Sequence, residues 1–452
     1  MALFGRFRKK EKRVLAIGLD GTPYSLVRRL TAEGKLPNFS RLLQTGSLNR
    51  MNSVLPTVSG VAWSSFMTGK NPAGHGIFGF VDRTTNPWEI FIPTSSHMKA
   101  ETLWEILGKA GKKVVVMNVP VTYPPREVNG ILISGFLATD LSKAVYPQSL
   151  YPKLKELGYR IDIDAWKARE SKDALMKDLN YTLDKRLETM FYLMDNEPWD
   201  FFMCHIMETD RLHHFLWEKM ENNDPEYAPQ FFNYYQKIDE ALGKIEEKLD
   251  DNTSLIILSD HGFCSIKQEV QVNYYLKQQG WLKFRNSPAK SLSDIDGEST
   301  TAYSFIPGRI FINLKGREPE GKISPGQDYE AVRDELIQSL LEMQDPDTEE
   351  KIIKQVYRKE EIYEGPCLED AADLIAVPFD GYDLKGTLEK DTLTERTPIE
   401  GMHTFDDAFL YIKGEEQNRE GIAINDCMPI ILNLMDISAS RTLKESTSRG
   451  KD

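Results

Sequence analysis

Cysteine is scarce in this chain: Cys204, Cys264, Cys367 and Cys427 are the only four. None falls in a CxxC or paired-loop spacing, which excludes a disulfide framework and a thiolate zinc site and leaves four reduced, mostly packed thiols. Long apolar runs are missing too. No stretch approaches the roughly 18 apolar residues of a membrane span, and the opening MALFGRFRKKEKR lacks the apolar core of a signal peptide, so the protein is expected in the cytoplasm. Basic residues are outnumbered: 56 Lys and Arg face 69 Asp and Glu, a formal net charge of -13. That balance excludes extended attraction to a nucleic-acid polymer. A small anionic substrate stays open, because bound metals reverse a local field.

What is present is ordinary globular composition, 40% hydrophobic and 28% charged over 452 residues, enough for a sizeable core. Residues 1–12 read as a solvated basic tail, with contact to anionic lipid through Arg6, Arg8, Lys9, Lys10, Phe4 and Phe7 as the alternative. Residues 440–452 read as a flexible tail. No internal repeat is found. The apolar run from Arg13 ends at Asp20-Gly21 and predicts a buried parallel strand with a loop at its carboxyl end. Further strands are predicted at 112–118, 130–134, 199–207 and 254–259, and long amphipathic helices at 172–196 and 228–250. Strands alternating with helices predict an α/β fold, a doubly wound, mostly parallel sheet flanked by helices. From 286 to 369 the pattern changes to short strands and one helix, read as an inserted α+β lid. The main sheet is expected to resume at Ala372–Pro378 and Ala408–Ile412.

In such sheets ligands sit outside the carboxyl ends of the strands, and the chemistry-bearing residues fall there. Asp210 and His214 are four apart at a helix start, on one face, where they can share a metal; a plain hydrogen bond is the ordinary alternative. Asp260-His261-Gly262 follows an apolar strand, and the glycine permits the turn that lets both side chains enter a cleft; a helix cap is the alternative there. Asp20 would be costly to bury without a charge partner, though an Asp-Gly turn also explains it. His403 is a lone histidine in a glycine-containing loop. Ser59, in Pro56-Thr57-Val58-Ser59-Gly60, stands where a strand end turns into a short helix.

Taken in order, Asp, then Ser before Thr-Gly and His-Gly-Ile, then Asp-x-x-x-His, Asp-His-Gly and Gly-x-His, the chain resembles the alkaline phosphatase superfamily from about 13 to 437. Within it, the resemblance is to the type I phosphodiesterase/nucleotide pyrophosphatase branch and its relatives among predicted phosphohydrolases and phosphomutases. The resemblance implies two divalent cations, zinc first and manganese second. One would be held by Asp210, His214 and His403, the other by Asp20, Asp260 and His261, with Ser59 facing them as nucleophile. It further implies hydrolysis of a small phosphate mono- or diester through phospho-Ser59, with the Gly60 amide as a phosphoryl donor. His75 is a structural feature of the pattern, and His205 and His213 are expected to pack around the ligands.

The chain departs from the branch in one respect. An asparagine that usually holds a phosphoryl oxygen is absent from the turn after Ser59, where Ala62 and Trp63 stand. Lys70, Asn118, Thr122, Tyr123 and Arg309 are the candidates to replace it, and Phe78, Phe80 and Phe136 could wall a leaving group. A phosphomutase resembling cofactor-independent phosphoglycerate mutase is the enzymatic alternative, since a lid would shield such a pocket. A metal-stabilised binding protein without catalysis is the alternative from another class. A sulfatase is disfavoured, because Ser59-Gly-Val-Ala-Trp63 lacks the Cys/Ser-x-Pro-x-Arg pattern.

Overall fold

A computed structural model describes residues 11–164, 171–416 and 418–437; the 440–452 tail and all of the basic tail before residue 11 lie outside them. Eight strands form the main sheet in the order Gly46–Met51, Ala408–Lys413, Thr253–Leu258, Arg13–Leu19, Phe201–Ile206, Val114–Met117, Gly130–Ile133, Val145–Tyr146. The five strands from Thr253–Leu258 to Gly130–Ile133 run parallel, and antiparallel pairings flank them. The doubly wound, mostly parallel sheet is the architecture expected from the alternating pattern.

The apolar run of the central strand is continuous because both of its faces are covered. Leu15, Ile17 and Leu19 pack on one side, against the helices Lys172–Asn196, Glu208–Glu221 and Tyr227–Lys248. Val14 and Ala16 pack on the other, against Ser59–Thr68, Leu103–Lys109 and Cys427–Leu434. The strands end at Leu19, Met117, Ile206 and Leu258, so four chain segments deliver the residues that follow, from Asp20, Asn118, Met207 and Ser259 onward, to one edge.

The second body is larger than the predicted 286–369 insertion. Leu374–Pro378, expected in the main sheet, instead pairs with Arg309–Ile312 and Ile353–Arg358 in a four-stranded antiparallel sheet completed by Ala302–Phe305. Gln268–Gln271, Tyr382–Lys385 and Thr394–Glu395 form a three-stranded sheet beside it. Val270, Leu276, Tyr303, Ile375 and Leu384 share its core. A short apolar run reads the same in either sheet; only the pairing partner decides.

One buried ion pair props the functional edge. Arg186 and Glu208 are both fully buried and contact each other through the guanidinium. Arg186 also donates to the Tyr159 hydroxyl and to the Ile161 carbonyl at 2.8 and 2.5 Å respectively for carbonyl and hydroxyl. Glu208 opens the helix that carries Asp210 and His214. Removing one partner strands a buried charge. Arg186→Met is therefore expected to destabilise the fold by about 3–5 kcal/mol, read as a lower urea midpoint.

Candidate functional site

Asp20 leaves the central strand into Gly21, whose φ of 62° is left-handed. A Cβ there would lie 2.8 Å from the Phe263 ring and 3.0 Å from His261, so glycine is required for the chain to turn beneath the site. The Asp20 carboxylate is held from two sides: Trp63 Nε1 donates to Oδ2 at 2.9 Å and His205 Nε2 lies 2.8 Å from the same oxygen. Its Oδ1 faces Ser59 Oγ at 3.2 Å and His261 Nε2 at 3.5 Å. Asp260 takes the Gly21 amide on Oδ1 at 3.0 Å, and its buried Oδ2 has no hydrogen-bond partner among the described residues.

Across from this group, Asp210 Oδ1 lies 3.3 Å from His214 Nε2 and 3.1 Å from His403 Nε2, and the two Nε2 atoms are 3.2 Å apart. His403 arrives on the Gly401–Thr404 strand, paired antiparallel with Gly262–Ser265 so that it stands opposite Phe263. Its ring stacks on His261 with centroids 3.7 Å apart, which joins the two groups. Each of the three histidines sets Nδ1 against a backbone carbonyl: His214 on Gly401 at 2.9 Å, His261 on Gly262 at 3.0 Å, His403 on Thr57 at 3.2 Å. A carbonyl only accepts, so Nδ1 carries a proton on each ring and Nε2 is the nitrogen that turns inward toward the carboxylates.

The electrostatics mark a deficit of positive charge. Burial and the neighbouring Asp20 carboxylate push the Asp260 carboxyl well above its usual range. Burial also works to raise Asp210, but His214 and His403 hold it well below. His261 is lowered to about 3, chiefly by burial and then by His403, and is a neutral imidazole. Three buried carboxylates, one with an orphaned oxygen, and three inward Nε2 atoms make a donor set that fits divalent cations. Asp20, Asp260 and His261, and likewise Asp210, His261 and His403, converge closely enough to hold an ion.

Ser59 is the first residue of the helix Ser59–Thr68, and its Oγ lies 3.3 Å from His261 Nε2. The amides of Ser59 and Gly60 are among the helix's first, which have no intrahelical acceptor. Both residues line a cleft of about 590 Å³ between the main and second bodies, together with Phe80, Phe136, Asp210, His214 and His403.

Of the residues expected to meet the phosphoryl group, only Gly60 lines this cleft; of the three expected to wall a leaving group, Phe80 and Phe136 line it, whereas Phe78 is buried in the core of the second body. Arg309 is wholly buried, with Nε on the Ile306 carbonyl at 3.1 Å and Nη1 3.7 Å from Asp82. It lies beneath Gly79, where a Cβ would come within 2.4 Å of the guanidinium carbon. Lys70 is exposed away from the cleft. Tyr123 is half-buried and accepts the Ser95 amide on its carbonyl at 2.8 Å. Thr122 donates to the Val119 carbonyl at 2.7 Å. Asn118 sits one layer below the site, its carbonyl against His205 Nδ1 at 2.9 Å and its Oδ1 accepting from Tyr159 at 3.2 Å.

His75 bridges Ser65 and the Ile77 amide, and His213 bridges Gly21 and Tyr235, supporting roles as expected. Sequence reasoning missed Trp63, because an indole in an apolar helix carries no polar signal. It also missed Arg211, masked by its place between two metal-ligand candidates.

The chain matches the type I phosphodiesterase/nucleotide pyrophosphatase family over residues 14–406. No curated protein matches it by sequence. Among solved structures, phosphonoacetate hydrolase from Sinorhizobium meliloti 1021 in complex with phosphonoacetate is similar, at 16% identity and a TM-score of 0.65, covering 94% of this chain and 96% of that one. Murine ectonucleotide pyrophosphatase/phosphodiesterase 5, an inactive form in complex with AMP, superposes with a TM-score of 0.57 at 15% identity, covering 95% and 96%. With the match spanning nearly the whole chain, the protein belongs to the type I phosphodiesterase/nucleotide pyrophosphatase family of the alkaline phosphatase superfamily, a family of phosphoric ester hydrolases.

Proposed function

We propose that the protein is a two-metal phosphohydrolase that cleaves a phosphate ester through a phosphorylated Ser59. The observation that carries this reading is the placement of Ser59 Oγ, 3.2 Å from Asp20 Oδ1 and 3.3 Å from His261 Nε2, at the seam between two ligand groups. Asp210, His214 and His403 would hold one ion, and Asp20, Asp260 and His261 the other; the nitrogen and carboxylate set suits zinc first and manganese second. Bound there, divalent ions supply Lewis acidity that lowers the serine pKa and neutralises the leaving oxygen.

The chain's own residues do the rest. Asp20 Oδ1 accepts the Ser59 hydroxyl and aims Oγ into the cleft. The Ser59 oxygen gives up its proton to solvent and forms a bond to phosphorus as the ester oxygen leaves with the bonding pair and takes a proton from solvent, and the amides at the helix start meet the phosphoryl oxygens. Water then forms the new bond to phosphorus as the Ser59–phosphorus bond breaks, which returns the serine. The Phe80 and Phe136 rings, 5.6 Å apart, form an apolar wall beside the site. A cleft of that size and lining supports a substrate with a bulky, weakly polar ester group over the three-carbon substrate of a phosphomutase. Four unpaired cysteines suit a reducing compartment such as the cytoplasm, and no helix among the described residues is long and apolar enough to cross a membrane.

Ser59→Ala is expected to lower turnover of bis-p-nitrophenyl phosphate or p-nitrophenyl phosphate by about a thousandfold or more, with metal content by elemental analysis unchanged. Full activity in that variant would remove Ser59 as nucleophile. His403→Ala is expected to release one ion, taking metal content from about two to about one per chain; an unchanged stoichiometry would contradict the ligand assignment. Chelation should abolish turnover, and zinc or manganese should restore it.

A further inference from the structure

Five of the six residues expected to contact substrate, all but Gly60, lie off the cleft, so none of them offers a side-chain donor to the phosphoryl oxygens. Three cationic side chains line the cleft: Arg211, Lys354 and Lys385. Lys385 is engaged by Asp383 and Glu269 on the second body, and Lys354 belongs to the same body. Arg211 stands instead in the first turn of Glu208–Glu221, immediately after the ligand Asp210.

Its guanidinium is clamped on two sides. Nε and Nη2 donate to the Asp162 carboxylate at 3.4 and 2.7 Å, and the guanidinium carbon lies 4.7 Å from the centre of the Phe136 ring. The remaining nitrogen, Nη1, lies 3.7 Å from Asp210 Oδ2, beyond hydrogen-bond distance. A planar fork held by one edge and one face keeps its last edge oriented without losing further side-chain freedom on binding.

Resting on the phosphohydrolase reading above, we propose that Arg211 binds a non-bridging oxygen of the phosphoryl group. Phosphoryl transfer spreads charge over the equatorial oxygens, where a fixed guanidinium stabilises it. Asp162 and Phe136 are positioning residues for the fork. Because Phe136 also belongs to the apolar wall, the contact ties the orientation of the phosphoryl group to the place of the leaving group.

The test is calorimetric binding of inorganic phosphate to the zinc-loaded full chain in a Ser59→Ala background. Arg211→Gln is expected to weaken phosphate about ten- to hundredfold, the range of a charge-assisted hydrogen bond, with zinc content unchanged. Arg211→Lys, which keeps the charge but loses the fork, should fall between. Asp162→Asn, which leaves the guanidinium in place, should cost less than about threefold. A phosphate affinity in Arg211→Gln equal to the parent's at equal zinc content would overturn the proposal. Equal losses in Arg211→Gln and Asp162→Asn would also overturn it, because the arginine would then act only through its ion pair. If the zinc-loaded parent itself binds no phosphate, the phosphohydrolase reading fails and this proposal with it.

Discussion

Bringing three carboxylates into one buried space is the most expensive thing this fold does, and much of its functional edge is arranged around that cost. Asp20, Asp210 and Asp260 are at most 2% exposed. An ionised carboxylate in such surroundings needs either a counter-charge or a proton. For Asp210 the counterweight is a pair of imidazoles, whereas Asp260 keeps one oxygen without a hydrogen bond among the described residues, 3.4 Å from His261 Nε2. Under the proposed function, bound cations would complete the balance, which makes the two ligand groups and Ser59 parts of one electrostatic problem.

Rigidity in the site comes from the backbone. The three ligand histidines are oriented by carbonyls of Gly401, Gly262 and Thr57, so each imidazole is aimed by chain geometry and not by another titratable group. Asp20 is tied by His205 and, through it, to the Asn118 carbonyl. Asn118 meets Tyr159, which meets Arg186 and Glu208 at the start of the opposite ligand helix. This line of contacts links both ligand groups to a single buried ion pair beneath the sheet edge.

The second body adds shape more than chemistry. Its four-stranded sheet supplies the far wall of the cleft through Tyr357, Ile375 and Val377, while Asp20, Ser59, Asp210, His214, Asp260, His261 and His403 all lie outside that sheet. Under the proposed function, substrate choice and bond cleavage would fall to different parts of the chain.

The doubly wound architecture was legible in the alternation of buried strands and amphipathic helices, because those periods are local. The six ligand candidates and Ser59 were legible as an ordered set of short motifs at strand ends, since each motif needs only its own turn, cap or i, i+4 spacing. The destinations of short apolar runs were not legible: Leu374–Pro378 joined the second sheet, and nothing within its five residues distinguishes one partner strand from another. The side chains that line the cleft were equally hidden. Arg309 and Arg211 look alike in sequence, yet one is sealed beneath Gly79 and the other lines the cleft beside Asp210. Local chemistry depends on near neighbours and is written in the sequence, whereas the direction a long charged side chain takes depends on what distant segments pack against it, and only the tertiary structure decides that.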